Sequence, residues 1–326
     1  MKRFKDIVCV VEPGQESKPA LKRAVTLSDN NQANLTVIAV APTVTASIDM
    51  PEGGPISADL QAATVNSYKQ ELEALIEPYR KRIKFETKVL VGTPFLEIIR
   101  EILRNGHDLV IKMAEQYDWL DRWFGSDDMH LLRKCPCPVW LIKPEAPIKY
   151  KRILATVDVD DKPVPEELEM RQALNHQILE MASSLALSEF AELHIGSAWD
   201  AIGESVINLV FHDTPEENIT AYVEEVRQQT AENLEKLIRD VARYIGQDAL
   251  DYLKYRVHLI KGEPRKEIPA LAKKIEADLV VMGTVARTGI PGFIMGNTAE
   301  TILNQLDCSV LAIKPPGFVT PITLKV

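Results

Sequence analysis

Gly283, Gly296, Asn297 and Thr298 are the residues whose types and spacing best suit the capture of an anion. Gly283 closes the apolar run Leu279-Val-Val-Met282, and a glycine there leaves room for a ligand to approach the main chain. Gly296-Asn297-Thr298 precedes Ile302, Leu303 and Leu306, which recur at helical spacing, so it reads as a helix start capped by Asn297 or Thr298. Free amide hydrogens and the dipole at such a terminus attract phosphate. Arg287, in the intervening loop, adds a formal positive charge. In an open parallel α/β sheet, ligands bind beyond the carboxyl ends of the strands, where the strand order reverses. That rule brings in Thr156, Val157 and Asp158, at the end of another strand, beside Met282 and Gly283.

Other chemistries find less support. No G-x4-G-K-S/T loop is present, and Gly289, Gly292 and Gly296 do not form a G-x-G-x-x-G fingerprint. His194-Ile-Gly-Ser197 matches the start of the HIGH motif of class I aminoacyl-tRNA synthetases, yet it falls on a strand, lacks the final His and has no KMSKS partner. Cys135-Pro-Cys137 reads as two structural cysteines, because no second Cys/His cluster completes a metal site. The six histidines lack paired-ligand spacing, and no Ser or Cys sits in a nucleophile elbow. No catalytic residue and no metal ligand is therefore assigned. Trp119, Trp123 and Phe124 read as core or interface contacts rather than a base-stacking platform.

Short runs rich in Val, Ile and Leu must position these residues. They fall near residues 6–11, 35–41, 84–90, 108–113 and 139–142, and again near 152–157, 191–198, 254–260, 278–283 and 310–313. Nearly continuous apolar strands separated by helical segments predict a parallel sheet covered on both faces. Long helices are expected over 57–82 and 215–244. In the second, Tyr222, Val226, Leu234, Leu237, Ile238 and Val241 form one face that packs on the sheet. The apolar stretch from Trp199 to Phe211 reads as an extra helix or edge packing.

The two sets of strands are copies. Gly92-Thr-Pro94, Asp108-Leu-Val-Ile111 and Cys137-Pro-Val139 recur, in register to within one residue, as Gly262-Glu-Pro264, Asp278-Leu-Val-Val281 and Cys308-Ser-Val310. A register kept across three separate elements marks a duplication. The 326 residues thus divide into α/β domains over 1–146 and 147–326, each a doubly wound, five-stranded parallel sheet. A net charge of -9 gives no electrostatic drive toward nucleic acid or an anionic membrane, and no apolar run is long enough to span a bilayer. Four cysteines without secretory spacing, and no signal-like N-terminus, lead us to expect a cytoplasmic protein.

Gly283-x2-Ala286-x9-Gly296-Asn297, after an apolar strand and before Cys308-Ser-Val-Leu-Ala-Ile-Lys314, resembles the G-x2-G-x9-G-S/T signature of ATP-binding universal stress proteins. The duplicated layout resembles the tandem members of that family over essentially the whole chain. The resemblance implies an adenine nucleotide α-hydrolase-like fold in each half, with a pseudo-twofold axis bringing the fifth strands together antiparallel. It also implies a stress-response module binding ATP, with Mg on the phosphates, in the second half, and it leaves room for a homodimer. Asp158 then faces the ribose or adenine, Ile195 packs on the base, Met282 and Gly283 flank the nucleotide, and Gly296, Asn297 and Thr298 hold phosphates. Ala286 departs from the second glycine of the signature and crowds the phosphates; Asn297 replaces Ser or Thr.

The first half has lost more of the signature. Met113 stands for Gly283 and Gln116 for Ala286, Glu12 replaces Asp158, and Asp118, Asp121, Asp127 and Asp128 oppose a triphosphate. That half is expected not to bind ATP. Slow ATP hydrolysis and binding of an apolar metabolite are the alternative functions.

Overall fold

The computed structural model describes residues 4–14, 17–44, 55–115, 126–160, 165–201, 216–284 and 295–324. The first half runs β1 (Asp6–Val10), α1 (Lys18–Asn31), β2 (Asn34–Ala41), α2 (Pro55–Ile76), β3 (Phe85–Val91), α3 (Pro94–Asn105), β4 (Leu109–Met113), α4 (Ser126–Lys134) and β5 (Val139–Ile142). The second runs β6 (Arg152–Thr156), α5 (Pro165–Glu189), β7 (Glu192–Trp199), α6 (Glu216–Ile245), α7 (Gln247–Leu253), β8 (Arg256–Lys261), α8 (Pro264–Lys274), β9 (Leu279–Gly283), α9 (Asn297–Leu303) and β10 (Ser309–Ile313).

The ten strands among the described residues join one sheet, in the order β3-β2-β1-β4-β5-β10-β9-β6-β7-β8. Pairing is parallel within each half. At the centre β5 and β10 run antiparallel, with Leu311 opposite Trp140. The strand order reverses between β1 and β4 and between β6 and β9, which puts one crevice in each half at those carboxyl ends.

Successive residues of a strand face opposite sides, and both sides are buried here. Ile7 and Cys9 enter one core with α1, α2, α5, α6 and α7. Val8 and Val10 enter the other, under α3, α4, α8 and α9. Both cores continue across the β5–β10 junction, so neither half closes its own.

The repeated residues serve this scaffold. Gly92 and Gly262 hold φ of +143° and +141°, and a Cβ on them would lie 3.0 and 2.8 Å from Cγ of Glu97 and Glu267. Pro94 and Pro264 follow in the first turn of a helix, where no amide hydrogen is needed. Asp108 accepts the amide hydrogens of Lys5 and Asp6, at 2.7 and 3.2 Å. Asp278 accepts those of Lys151 and Arg152, at 2.6 and 2.9 Å. Each aspartate thereby pins the start of its half's first strand beside the fourth. No described helix is long and apolar enough to cross a membrane.

Candidate functional site

A cavity of about 630 Å³ opens at the carboxyl ends of β6 and β9. Thr156, Val157 and Asp158 border it from β6, Met282 and Gly283 from β9, and Thr298 from the start of α9. Six residues singled out in the sequence are thus brought together from three elements. Gly296 and Asn297 lie beside them without lining the cavity, and Ala286 and Arg287 fall outside the described residues.

Three expectations need correction. Ile195 does not line the cavity: it sits in mid-strand opposite Ala155, fully buried in the core. Strand β7 runs on to Trp199, so Ala198, Trp199 and Asp200 form its part of the wall. Asn297 and Thr298 do not cap α9. Gly296 holds the cap position with extended dihedrals, no side chain caps the helix, and the Gly296 amide donates to the Thr284 carbonyl at 3.2 Å. Finally, Tyr222 and Val226 wall the cavity; it is Leu234, Leu237, Ile238 and Val241, further along α6, that are buried in the core. The aromatic loop residues Trp119, Trp123 and Phe124, and residues 202–211 of the apolar stretch, fall outside the described residues.

The Asp158 turn is held from α5. Its amide donates to Asn175 Oδ1 at 3.2 Å, and Asn175 Nδ2 returns a bond to the Asp158 carbonyl at 2.7 Å. Arg171 Nη1 lies 2.8 Å from the Asp158 carboxylate. Desolvation in the cleft still pushes that carboxyl above its ordinary value, against the pull of Arg171. Arg171 is the one cation among the described lining residues, whereas Asp160, Glu167, Asp200 and Glu225 join Asp158 at the rim. Between α5 and α6 the wall is mixed, with Met170, Leu174, Ile178 and Val226 beside Asn175, Gln229, Thr230 and Asn233. Gly283 is needed here for packing as well as access, since a Cβ on it would lie 2.6 Å from Leu174 Cδ2.

The first half fills its crevice differently. Lys112, fully buried on β4, occupies the place of Met282, and Asp128, fully buried on α4, that of Ala299. Lys112 Nζ is 2.9 Å from Asp128 Oδ1, 2.7 Å from Glu12 Oε1 and 3.3 Å from Glu115 Oε1. Burial alone would lower the Lys112 pKa, but Asp128, Glu12 and Glu115 outweigh it and raise it. Burial and the Asp128 charge push Glu115 up to about 7, against Lys112. Glu12, the counterpart of Asp158, is thus committed to an ion pair with the buried Lys112 while staying partly exposed itself. This cluster was not anticipated from the sequence, although a lysine inside the apolar run Leu109-Val-Ile-Lys-Met113 signals it.

Among the described residues no three His, Cys, Asp or Glu side chains are grouped to hold a metal ion. Two parallel half-sheets joined edge to edge, each with a crevice at its switch point, define a tandem α/β protein built around ligand-sized clefts. The chain belongs to the universal stress protein family, whose profile matches residues 3–143 and 149–314. Universal stress protein E of Escherichia coli K12 is 31% identical over 341 aligned positions, spanning 99% of this chain and 98% of that protein. The universal stress protein E homolog of Haemophilus influenzae is 29% identical, over 96% and 98%. A solved structure of a putative universal stress protein from Pseudomonas aeruginosa aligns with a TM-score of 0.63 at 27% identity, covering 96% of this chain and 94% of that one.

Proposed function

We propose that this stress protein binds an adenine nucleotide in its second half and acts through that occupancy as a regulatory module rather than as a dedicated catalyst. The observation that carries the reading is the convergence of Asp158, Met282, Gly283 and Thr298 on one cavity at the switch point. The base and ribose would lie toward Asp158 and Asn175. The phosphates would lie toward Thr298 at the start of α9, with any Mg arriving on the phosphates. In the first half, the ammonium of Lys112 and the carboxylates of Glu12, Glu115 and Asp128 gather at the corresponding crevice, Lys112 and Asp128 in place of the apolar Met282 and Ala299, which supports a half without nucleotide. The domains 1–146 and 147–326 would then divide scaffold from binding.

Denaturing the purified protein and identifying released small molecules by mass spectrometry tests this. ATP or a related nucleotide is expected; repeated absence of nucleotide, with no calorimetric binding, would contradict it. A second reading is favoured by the apolar side chains of Met170, Leu174, Ile178 and Val226 between α5 and α6: an apolar metabolite, which the same experiment would reveal as an acylated or otherwise lipophilic compound. Slow ATP hydrolysis would require turnover that persists through purification and vanishes in Gly283→Val.

A further inference from the structure

The four cysteines are all buried, yet they are not equivalent. Cys9 and Cys308 lie in apolar surroundings where burial pushes each thiol up to about 12, so both stay protonated and inert. Cys135 and Cys137 differ because helix α4 ends immediately before them, at Lys134. Cys135 closes its last turn, donating its amide hydrogen to the Leu131 carbonyl at 2.9 Å, and Pro136 cannot continue the helix. The chain bends at Pro136 and Cys137 before entering β5, and the bend turns both side chains to one side. Their sulfurs lie 3.6 Å apart. The second half has no such pair: Cys308 stands for Cys137, but Leu306 occupies the place of Cys135.

The surroundings favour charge on one sulfur. Burial alone would raise the Cys135 pKa, but donation by the Cys137 thiol and amide, together with the positive charge of Lys314, brings it below the ordinary thiol value. The Cys137 pKa is raised by the same sulfur contact and by burial. Lys314 comes from the end of β10 in the other half. Its ammonium donates to the Thr284 hydroxyl at 2.6 Å and to the carbonyls of Leu132 and Arg133 at the end of α4, and it lies 5.0 Å from the centre of the Phe318 ring. Thr284 in turn borders the nucleotide-sized cavity. One side chain therefore touches the helix end that carries the thiols and the wall of the cavity.

We propose that Cys135 and Cys137 are a site of reversible oxidation by small hydroperoxides, closing to an intramolecular disulfide. The Cys135 thiolate attacks one peroxide oxygen and breaks the O–O bond. This gives a sulfenic acid, with hydroxide from hydrogen peroxide or with an alkoxide, which water protonates to the alcohol, from an organic hydroperoxide. The Cys137 sulfur then attacks the sulfenic sulfur, forming the S–S bond; hydroxide leaves and takes up the Cys137 proton as water. The two thiols are oxidised and the peroxide is reduced, and an external dithiol reverses the change. A disulfide needs about 2.05 Å between sulfurs, so the two sulfurs must close from 3.6 Å. Cys135 is fully buried and Cys137 keeps 8% of its surface exposed, so a small peroxide would reach Cys135 past Cys137. Lys314 is a positioning residue that favours the thiolate while it carries its proton, which burial lets it hold up to about pH 7.

The test treats the full reduced chain with hydrogen peroxide, alkylates remaining thiols under denaturing conditions and maps the peptides by mass. Expected is loss of two hydrogens from the peptide carrying Cys135 and Cys137, reversed by dithiothreitol, with Cys9 and Cys308 fully alkylated. Cys137→Ser should trap a sulfenic acid at Cys135 that reacts with dimedone. Lys314→Met should move the pH profile of the oxidation rate upward, and Lys314→Arg should restore it. All four cysteines alkylated as before, oxidation beginning at Cys9 or Cys308, or sulfinic acid in place of the disulfide would overturn the proposal. An unchanged pH profile in Lys314→Met would remove Lys314 from it.

Discussion

At the residue scale, the repeat separates what the fold requires from what the two crevices have become. Gly92 with Gly262, and Asp108 with Asp278, do the same work in both halves, and a search for internal similarity finds them because backbone strain and strand pinning admit few alternatives. The pair Met282 and Ala299 has diverged to Lys112 and Asp128. Removing one member of a buried ion pair strands the other charge, so Lys112→Met should destabilise by about 3–5 kcal/mol. Adding Asp128→Ala, which rebuilds the apolar pair of the second half, should recover much of that loss in urea unfolding. Lys112 was legible as an interruption of an apolar strand, whereas its partners were not, because Glu12, Glu115 and Asp128 converge from three segments. Lys314 supplies a pH signature. Burial lowers its pKa from 10.5 to about 7 in the folded protein, so between those values the unfolded chain binds more protons. Its contribution to stability is present above 10.5 and is lost as pH falls through 7. The stability of the native protein relative to Lys314→Met should accordingly rise from pH 7 to 9.5 in denaturant titrations; a constant difference would argue against the shift.

Elements were more legible than their roles. The apolar runs locate all ten strands to within one or two residues, because a strand buried on both faces must be apolar nearly throughout. The period of helix α6 locates it, but period alone does not distinguish the buried Leu234 and Leu237 from the cavity-facing Tyr222 and Val226 about two to four turns earlier. Ile195 was misplaced for a related reason, since the position of the cavity along β7 depends on how far that strand runs beyond its neighbour. Between elements of opposite halves, Arg23 of α1 makes a buried polar tie. It bonds Glu189 of α5 at 2.9 Å and the carbonyls of Pro147 and Ile148 at 3.4 and 2.8 Å, and its guanidinium lies 3.8 Å from the Tyr150 ring centre. Arg23→Ala leaves Glu189 and two carbonyls short of partners and should cost about 3–5 kcal/mol. Thermal unfolding would show it. The exposed pair Arg227 and Glu224 provides the contrast: Arg227→Ala should change stability little.

Across the whole molecule, duplication has produced one continuous sheet with two unlike crevices. The antiparallel β5–β10 pair and the shared cores make the halves interdependent, while the cavity beside Gly283 and the ion cluster around Lys112 make them unequal. The fold class was readable from strand pattern and repeat. The inequality was readable in outline from the missing glycine at Met113, but the cavity depth and the acidic rim were not, since they depend on how α5 and α6 pack. Calorimetric titration of the ligand-free, intact chain with Mg-ATP tests this asymmetry most directly. One site per chain is predicted, abolished by Gly283→Val, whose Cβ meets Leu174. Two sites per chain, or none, would contradict it.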